Sequence, residues 1–270
     1  MPDRQADLGR PVRVVLFCGG PTLDPAVVRF VERLQLQSEI ELVGGFCQTN
    51  GQTFTAVIRD RLRRRGFLGI AVLLVEALGA GARLLTNPRA GMAVRKSRAR
   101  ITNLIHAVPD LHAEPALERV RSLHPDLGLI YGSPLLKPQL FGIPRLGTAG
   151  IHHGKMPQYR GKKTTFWSMY NGEETAGVTI QLVNAGIDTG QIIRRGEVQI
   201  GRKSIGQVRR ELEDLGFTLY VQAILDLKRG VAQLVPAQGP KGKLCKDPQL
   251  ADFVKFWWRQ LKSRRHVASS

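Results

Sequence analysis

The chain has 270 residues, of which 43% are hydrophobic and 23% are charged. This length and apolar content suit one large α/β domain, alone or with a short tail, and 29 glycines with 15 prolines are too few for a disordered chain. The formal net charge of +18 favours anionic partners, without distinguishing phosphate, nucleotide, nucleic acid and anionic lipid.

The first elements form a strand–helix–strand pattern. Residues 12–18 are an apolar run ended by a Gly-Gly-Pro turn, which predicts a buried strand. Residues 23–36 carry apolar side chains at helical spacing, with Asp24 as the predicted N-cap and Pro25 in the first turn. Residues 40–46 predict a second strand, and together these elements indicate an open parallel sheet. The glycine pair does not complete Gly-x-Gly-x-x-Gly, so a dinucleotide site is disfavoured.

Residues 55–100 predict a basic helical insertion. Residues 55–65 and 83–100 are rich in arginine, which indicates either an anion-binding patch or a solvated surface. The apolar residues 67–85 approach the length of a membrane span but carry Glu76 near their middle. We expect a buried or groove-lying helix there, with a membrane-surface helix or a true span as the alternatives.

A second strand–helix–strand pattern follows the insertion. Residues 101–108 predict a strand, residues 115–123 a helix, and residues 127–131 a short strand. Ligands of open α/β sheets bind beyond the carboxyl ends of the strands. Residues 131–136 are therefore expected near a site, with a plain turn as the alternative.

The last part of the chain predicts three short strands, at residues 150–153, 177–182 and 191–193, and a long helix over residues 203–229. The expected organisation is a catalytic domain over residues 1–230, which contains the basic insertion, and a basic, aromatic tail over residues 231–270.

Cysteine usage and the N-terminus bear on localisation. Cys18, Cys47 and Cys245 form no Cys-x-x-Cys pair and no zinc-ligand spacing, so no metal is expected and a reducing compartment is favoured. The N-terminal residues lack the long apolar run of a secretory signal. We therefore expect a cytoplasmic protein.

Two side chains stand out as a chemical pair. His152 follows a short apolar stretch, and Asp188 lies in a Gly-Ile-Asp-Thr-Gly turn. A carboxylate can orient an imidazole and favour its cationic form, which can donate to an oxyanion that forms on an attacked carbonyl. The carboxylate can also receive a proton from an attacking amine. The alternative is a structural histidine and an unrelated surface aspartate.

The stretch from His152 to Gly161, His-His-Gly-Lys-Met-Pro-Gln-Tyr-Arg-Gly, resembles the active-site loop of the folate-dependent formyltransferases. That family includes glycinamide-ribonucleotide, methionyl-tRNA and sugar-nucleotide formyltransferases. Its pattern is Asn-x-His, Leu-Pro, Arg-Gly, Gly-Val-Thr and Asp-x-Gly. The last four elements correspond in order to Met156-Pro157, Arg160-Gly161, Gly177-Val178-Thr179 and Asp188-Thr189-Gly190. Residues 125–147 resemble the family's folate-contacting region, and residues 203–248 its closing helix and tail.

The resemblance implies a Rossmann-like α/β fold with a central, mostly parallel sheet and a short C-terminal helical tail. It implies formyl transfer from 10-formyltetrahydrofolate to a primary amine, in which His152 polarises the formyl group and Asp188 tunes His152 and assists proton transfer. The loop implied to hold the pterin, largely through backbone groups, contains Tyr131, Gly132, Ser133, Leu135 and Leu136. The implied substrate loop contains Lys155, Tyr159, Arg160 and Gly161.

The chain departs from the family pattern at Gly150, where the family has an Asn whose amide helps bind the formyl oxygen. Loss of one oxyanion donor typically costs about 2.7–4 kcal/mol. A backbone N–H, a water, Lys155 or His153 is the candidate replacement. Otherwise the chain is a catalytically impaired relative that binds folate, nucleotide or membrane. A formyl-folate hydrolase is disfavoured, because residues 1–11 are too short for the regulatory domain that precedes the site in such enzymes.

The favoured acceptor is a small, anionic amine, namely an amino sugar linked to a nucleotide or a lipid. The roughly 40 residues after residue 230 are too few for the extra domain of the methionyl-tRNA enzymes, so no nucleic acid is expected. Residues 253–265 interleave aromatic and basic side chains. They predict a helix that packs Phe253, Phe256 and Trp257 on the domain, lies on the inner face of a membrane, or stacks on a nucleotide base.

Overall fold

The computed structural model describes residues 9–20, 24–49, 101, 103–240 and 242–268, with side chains described as far as residue 259. The insertion predicted at residues 55–100, with its apolar segment, lies outside these residues. The chain divides into two compact units, Met1–Thr148 and Ala149–Ser270. The domain organisation expected from the sequence, with a boundary at residue 230, stays a prediction.

The described residues of the first unit form a parallel sheet and three helices. Its strands are β1 (Val12–Gly19), β2 (Ile40–Gln48), β3 (Ile105–Val108) and β4 (Leu127–Ile130), in the order β3-β2-β1-β4. All three strand pairs are parallel. Its helices are α1 (Pro25–Gln35), α2 (Glu114–Ser122) and α3 (Pro138–Phe141).

The start of α1 is as predicted. The Asp24 side chain accepts a hydrogen bond from the Ala26 N–H at 2.8 Å, and Pro25 occupies the first turn. The side chains of the predicted apolar face are buried, namely Val27, Phe30, Val31 and Leu34. Burial of this stripe against the sheet stabilises a helix of only 11 residues, which would be marginal alone.

Two strand predictions need correction. The strand expected at residues 101–108 begins only at Ile105, because the Leu104 N–H bonds to the Ile101 carbonyl at 2.9 Å and closes a turn. The strand expected at residues 191–193 extends over Ile192–Gln199. Its later residues alternate between partly buried and exposed, so a search for continuous apolar residues misses them.

The second unit contains β5 (Thr148–His152, starting one residue before the unit), β7 (Thr175–Leu182) and β8 (Ile192–Gln199), which are antiparallel in the order β5-β7-β8. A separate parallel pair joins β6 (Arg160–Gly161) to β9 (Leu244–Cys245). The helices are α4 (Thr164–Tyr170), α5 (Ile205–Arg229) and α6 (Leu250–Ala268).

Helix α5 holds the antiparallel strands of this unit. It begins with a capping box between Ser204 and Gln207 and ends at Gly230, whose φ is 69°. In its middle, the buried Tyr220 hydroxyl donates to the Ala149 carbonyl at 2.6 Å. This contact anchors the strand that carries His152.

The predicted α/β fold with mostly parallel strands and a C-terminal helix is confirmed. Within the part of the chain that the structure describes, no helix combines the length and apolarity needed to cross a membrane.

Candidate active site

His152 and Asp188, the pair predicted from the sequence, lie side by side in the second unit. His152 is the last residue of β5 and pairs with Thr179 of β7. Its imidazole Nδ1 lies 3.4 Å from the Asp188 Oδ1, and its Nε2 lies 2.7 Å from the Tyr159 carbonyl oxygen. His152 is only 8% exposed, so the neighbouring groups of the protein set its hydrogen bonding.

Both ring nitrogens of His152 therefore face oxygen atoms. A carbonyl oxygen and an ionised carboxylate can only accept hydrogen bonds. Both contacts are hydrogen bonds only when each ring nitrogen carries a proton. A substrate oxygen that bonds to Nε2 must also replace the Tyr159 carbonyl as its partner.

Asp188 is held in a braced turn between β7 and β8. Its φ is 48°, a left-handed conformation that aspartate tolerates better than most residues. The Gly161 N–H donates to Oδ2 at 2.8 Å, and the Gln181 amide donates to Oδ1 at 3.4 Å. The Asn184 side chain braces the turn by accepting from the Gly186 N–H at 3.0 Å. These bonds fix the carboxylate toward His152.

Gly154 allows the His152 ring to approach the loop. A Cβ at this position would lie 2.5 Å from the Tyr159 carbonyl oxygen and 2.6 Å from the His152 Nε2. Real Cβ atoms do not approach other heavy atoms so closely. The absence of a side chain at Gly154 is thus required for the bond between His152 and Tyr159.

A cavity of about 230 Å³ opens beside Asp188. Its walls include Pro157, Arg160, Asp188, Gly190, Pro236 and Ala237. The Arg160 Nε and Nη2 both donate to the Ile187 carbonyl, at 3.2 and 2.6 Å. These bonds connect the loop that contains Arg160 to the turn that contains Asp188. The Asp188 side chain is 18% exposed, so a molecule in this cavity can reach its carboxylate.

Lys155 and Tyr159 belong to a polar network beside the site. The Lys155 Nζ lies 3.5 Å from a Glu173 oxygen and 3.3 Å from a Glu197 oxygen. The Tyr159 hydroxyl donates to Glu173 at 2.8 Å and accepts from Asn171 at 3.0 Å. The pKa of Tyr159 is raised to about 12, and burial is the main cause. Two carboxylates thus balance the Lys155 charge, and both side chains shape the loop.

His153, next to the predicted catalytic histidine, has a different environment. Burial is the main cause that lowers its pKa to about 4, and the charges of His152 and Arg209 contribute to the same shift. His153 is therefore neutral at pH 7. It cannot provide a cationic replacement for the amide missing at Gly150.

The loop predicted to hold the pterin lies in the first unit, after the carboxyl end of β4. Tyr131 and Leu136 are buried there, and the Tyr131 ring stacks on Phe30 with a centroid separation of 5.6 Å. Gly132 has a φ of 64°, and the Ser133 hydroxyl donates to the Pro134 carbonyl at 2.7 Å. Leu135 is 62% exposed. This arrangement leaves the Leu135 side chain and main-chain groups as the candidate contacts for a ligand.

The sequence model of the formyl transferase family matches residues 50–224 of the chain. The chain belongs to this family. It is 35% identical over 144 residues to the methionyl-tRNA formyltransferase of Cyanothece sp., an alignment that covers 52% of this chain and 43% of the relative. It is 29% identical over 195 residues to that of Thermosynechococcus vestitus, covering 71% and 57%. The chain thus spans about half the length of these relatives.

Solved structures show that the chain shares its fold with other proteins. A sugar N-formyltransferase from Shewanella sp. aligns with a TM-score of 0.57 at 14% identity, covering 91% of this chain and 86% of that one. Glycinamide ribonucleotide transformylase 1 from Symbiobacterium toebii aligns at 0.56 and 15%, covering 82% and 90%. HypX from Aquifex aeolicus, in complex with tetrahydrofolic acid, aligns at 0.55 and 13%, covering 89% and 30%.

Gln181 is a site residue that the sequence interpretation missed. It is buried on β7 and pairs directly with Gly150 of β5. Directly opposed residues of antiparallel strands project from the same face, so the Gln181 side chain stands beside a position that has none. Its Oε1 accepts from the Gly190 N–H at 3.1 Å. A single amide in the apolar and β-branched stretch Val178–Leu182 was the signal that could have identified it.

Proposed function

We propose that this formyl transferase moves a formyl group from 10-formyltetrahydrofolate to a primary amine. The observation that carries the proposal is the buried imidazole of His152 against the partly exposed carboxylate of Asp188, at the wall of a cavity. Membership of the formyl transferase family supports the reaction class, and the tetrahydrofolic acid complex of HypX supports the donor.

The residues at this site fit a donor that carries a carbonyl group. His152 and Gln181 supply N–H groups, which a carbonyl oxygen accepts, and Asp188 supplies a base. The donor, when bound, supplies the formyl carbon that the amine attacks. His152 would stabilise the charge on the formyl oxygen after exchanging its bond to the Tyr159 carbonyl. Asp188 would receive a proton from the attacking amine, and that proton would pass to the folate nitrogen as its bond to the formyl carbon breaks. The main-chain groups of the loop Tyr131–Leu136 are proposed to hold the pterin.

Gln181 is proposed to supply the amide that the family pattern places at residue 150. Its side chain lies on the same face as that position, because the two residues are directly paired. Its Nε2 has two hydrogens, and only one is needed for the contact with Asp188 at 3.4 Å. The second hydrogen is the proposed donor to the formyl oxygen.

The proposed acceptor is an amino sugar linked to a nucleotide or a lipid. A cavity of about 230 Å³ suits a small acceptor group. Arg160 uses two of its five N–H groups on the Ile187 carbonyl, so its guanidinium can contribute further donors to a phosphate. The formal net charge of +18 favours the same anionic class.

A second candidate function is folate binding without turnover. The Tyr159 carbonyl already occupies the His152 Nε2 at 2.7 Å, and Gly150 provides no amide. A site in which that bond does not open would bind the donor without activating it.

The deciding experiment measures tetrahydrofolate release from 10-formyltetrahydrofolate spectrophotometrically. The acceptors are nucleotide-linked amino sugars, simple amines and water, and the variants are His152→Ala, Asp188→Ala and Gly150→Asn. Acceptor-dependent release that both alanine variants abolish is the expected result. Full activity in either alanine variant would show that the assigned site is wrong.

Other outcomes of this experiment separate the candidates. Release with water alone would indicate a hydrolase. Donor binding without release, restored to turnover by Gly150→Asn, would support the binding function. Neither binding nor release with any acceptor would overturn both proposals.

A further inference from the structure

Helix α6 carries a row of exposed apolar side chains. These side chains are half exposed or more, and we call them the outer face: Leu250 at 54%, Val254 at 61%, Trp257 at 56% and Trp258 at 58%. They recur at intervals of three and four residues, so they form one continuous stripe along the helix. Two neighbouring tryptophans are an unusually large apolar area to leave in water.

A different side of α6 holds the helix in place. The Phe253 and Phe256 rings pack on Phe166 of α4, with centroid separations of 4.9 and 5.4 Å, and Phe256 is 2% exposed. The Arg259 guanidinium lies 4.7 Å from the Tyr170 ring centroid and donates to the Tyr170 carbonyl at 3.0 Å. Of the three aromatic residues expected to pack on the domain, Trp257 instead lies on the outer face. Phe253, Phe256 and Arg259 therefore dock α6 on its unit, while the outer face stays at least half exposed.

The positive charge of α6 indicates which kind of surface the outer face would contact. Lys255 is exposed on the same helix, and the sequence of α6 contains five basic residues and one acidic residue, Asp252. The whole chain carries a net charge of +18. A helix with an apolar stripe, tryptophans and flanking basic residues suits the boundary between headgroups and acyl chains of an anionic bilayer. Tryptophan favours that boundary because its ring is apolar and its N–H is polar.

We propose that the outer face of α6 docks the chain on the surface of an anionic lipid bilayer. Trp257 and Trp258 enter the boundary between headgroups and acyl chains, and Lys255 contacts headgroup phosphates. The helix lies in the plane of the surface and does not span it. This proposal does not depend on the proposed formyl transfer.

The test is sedimentation of the full chain with vesicles of phosphatidylglycerol and phosphatidylcholine, compared with vesicles of phosphatidylcholine alone. We expect binding to the anionic vesicles, a weaker interaction at higher salt, and a blue shift of tryptophan emission. The double variant Trp257→Ser/Trp258→Ser should bind at least about tenfold more weakly, because two large apolar side chains that leave water on binding are lost. Its remaining tryptophan, Trp167, should show no shift.

A matched control removes exposed apolar side chains elsewhere. Leu36 and Val231 are 77% and 62% exposed, and the double variant Leu36→Ser/Val231→Ser should bind as the native chain does. Lys255→Glu provides a second, single-site test and should weaken binding to anionic vesicles without changing the thermal unfolding temperature.

Three results would overturn the proposal. These are absence of binding by the native chain, equal binding by the native chain and the double tryptophan variant, and a dimer held by the outer face that does not bind vesicles. Size-exclusion chromatography with light scattering on the native and double tryptophan chains would reveal the dimer.

Discussion

Replacement of Gly154 by alanine tests whether the placement of the His152 ring matters. The new Cβ would lie 2.6 Å from the His152 Nε2 and 2.5 Å from the Tyr159 carbonyl oxygen. An ordinary contact begins at 3.4 Å, so the ring must move by about 0.8 Å and the carbonyl oxygen by about 0.9 Å. The 2.7 Å hydrogen bond between these two groups cannot survive that displacement.

The displacement has two consequences of known size. Overpacking of a buried site typically costs about 1–3 kcal/mol of folding free energy, so the thermal unfolding temperature should fall by several degrees. Misplacement of a catalytic group by about 1 Å can reduce the rate roughly a hundredfold. We therefore expect Gly154→Ala to lower kcat/KM about a hundredfold while the protein remains folded.

The measurement combines thermal unfolding with the tetrahydrofolate-release assay, using Gly206→Ala as the control. Gly206 lies in the first turn of α5, and a Cβ there would meet only the end of the Arg210 side chain at 3.8 Å. Since alanine favours helices, this control should be slightly more stable and fully active. Native stability and native kcat/KM in Gly154→Ala would refute the assigned His152 geometry.

Three further predictions concern charge and hydrogen bonding in the second unit. Asp188→Asn should lower kcat roughly 10²- to 10⁴-fold with little change in donor affinity, because it removes the proposed base; steady-state kinetics and a binding titration measure both. Gln181→Leu leaves the Gly190 N–H unpaired and should cost about 1–3 kcal/mol of stability by urea unfolding, and lower kcat roughly 10²- to 10³-fold. Since the pKa of His153 falls to about 4 in the folded chain, the unfolded chain binds more protons between pH 6.5 and 4, so stability should fall by up to about 3 kcal/mol as the pH drops through that range. Urea unfolding at pH 7 and pH 4.5 measures this loss, which should shrink in His153→Gln.

Controls for these predictions come from the same unit. Asn184→Ala removes the brace of the Asp188 turn but no N–H donor to the formyl oxygen, so it should lower stability and should reduce kcat less than Gln181→Leu does. Equal kcat in the native chain and Gln181→Leu would exclude Gln181 as a donor to the formyl oxygen. An unchanged pH dependence of stability in His153→Gln would assign the acid sensitivity to other groups.

The sequence predicted most elements because their signals are local. The cap at Asp24 and the apolar stripe of α1 depend on residues within one or two turns, and the structure confirms both. The ends of strands were less predictable. Ile101 closes a turn with Leu104, and β3 pairs only with Gly45–Gln48 of β2, a partner that is distant in the sequence.

The candidate site was predictable only in part. The resemblance identified His152 and Asp188, and the structure places their side chains 3.4 Å apart. Gln181 escaped notice because its importance comes from its register with Gly150. Register across strands is a property of the assembled sheet, and a lone amide in an apolar strand does not reveal its partner.

By itself, the sequence determined the α/β class, the order of helices and strands, and which side chains can donate, accept or carry charge. Only the tertiary structure decided that the Tyr159 carbonyl occupies the His152 Nε2, that two glutamates surround Lys155, and that Trp257 lies outside the core. The physical reason is the range of the interactions. Helix caps and apolar periodicity arise from neighbouring residues, whereas hydrogen-bond partners and burial depend on segments that folding brings together from distant parts of the chain.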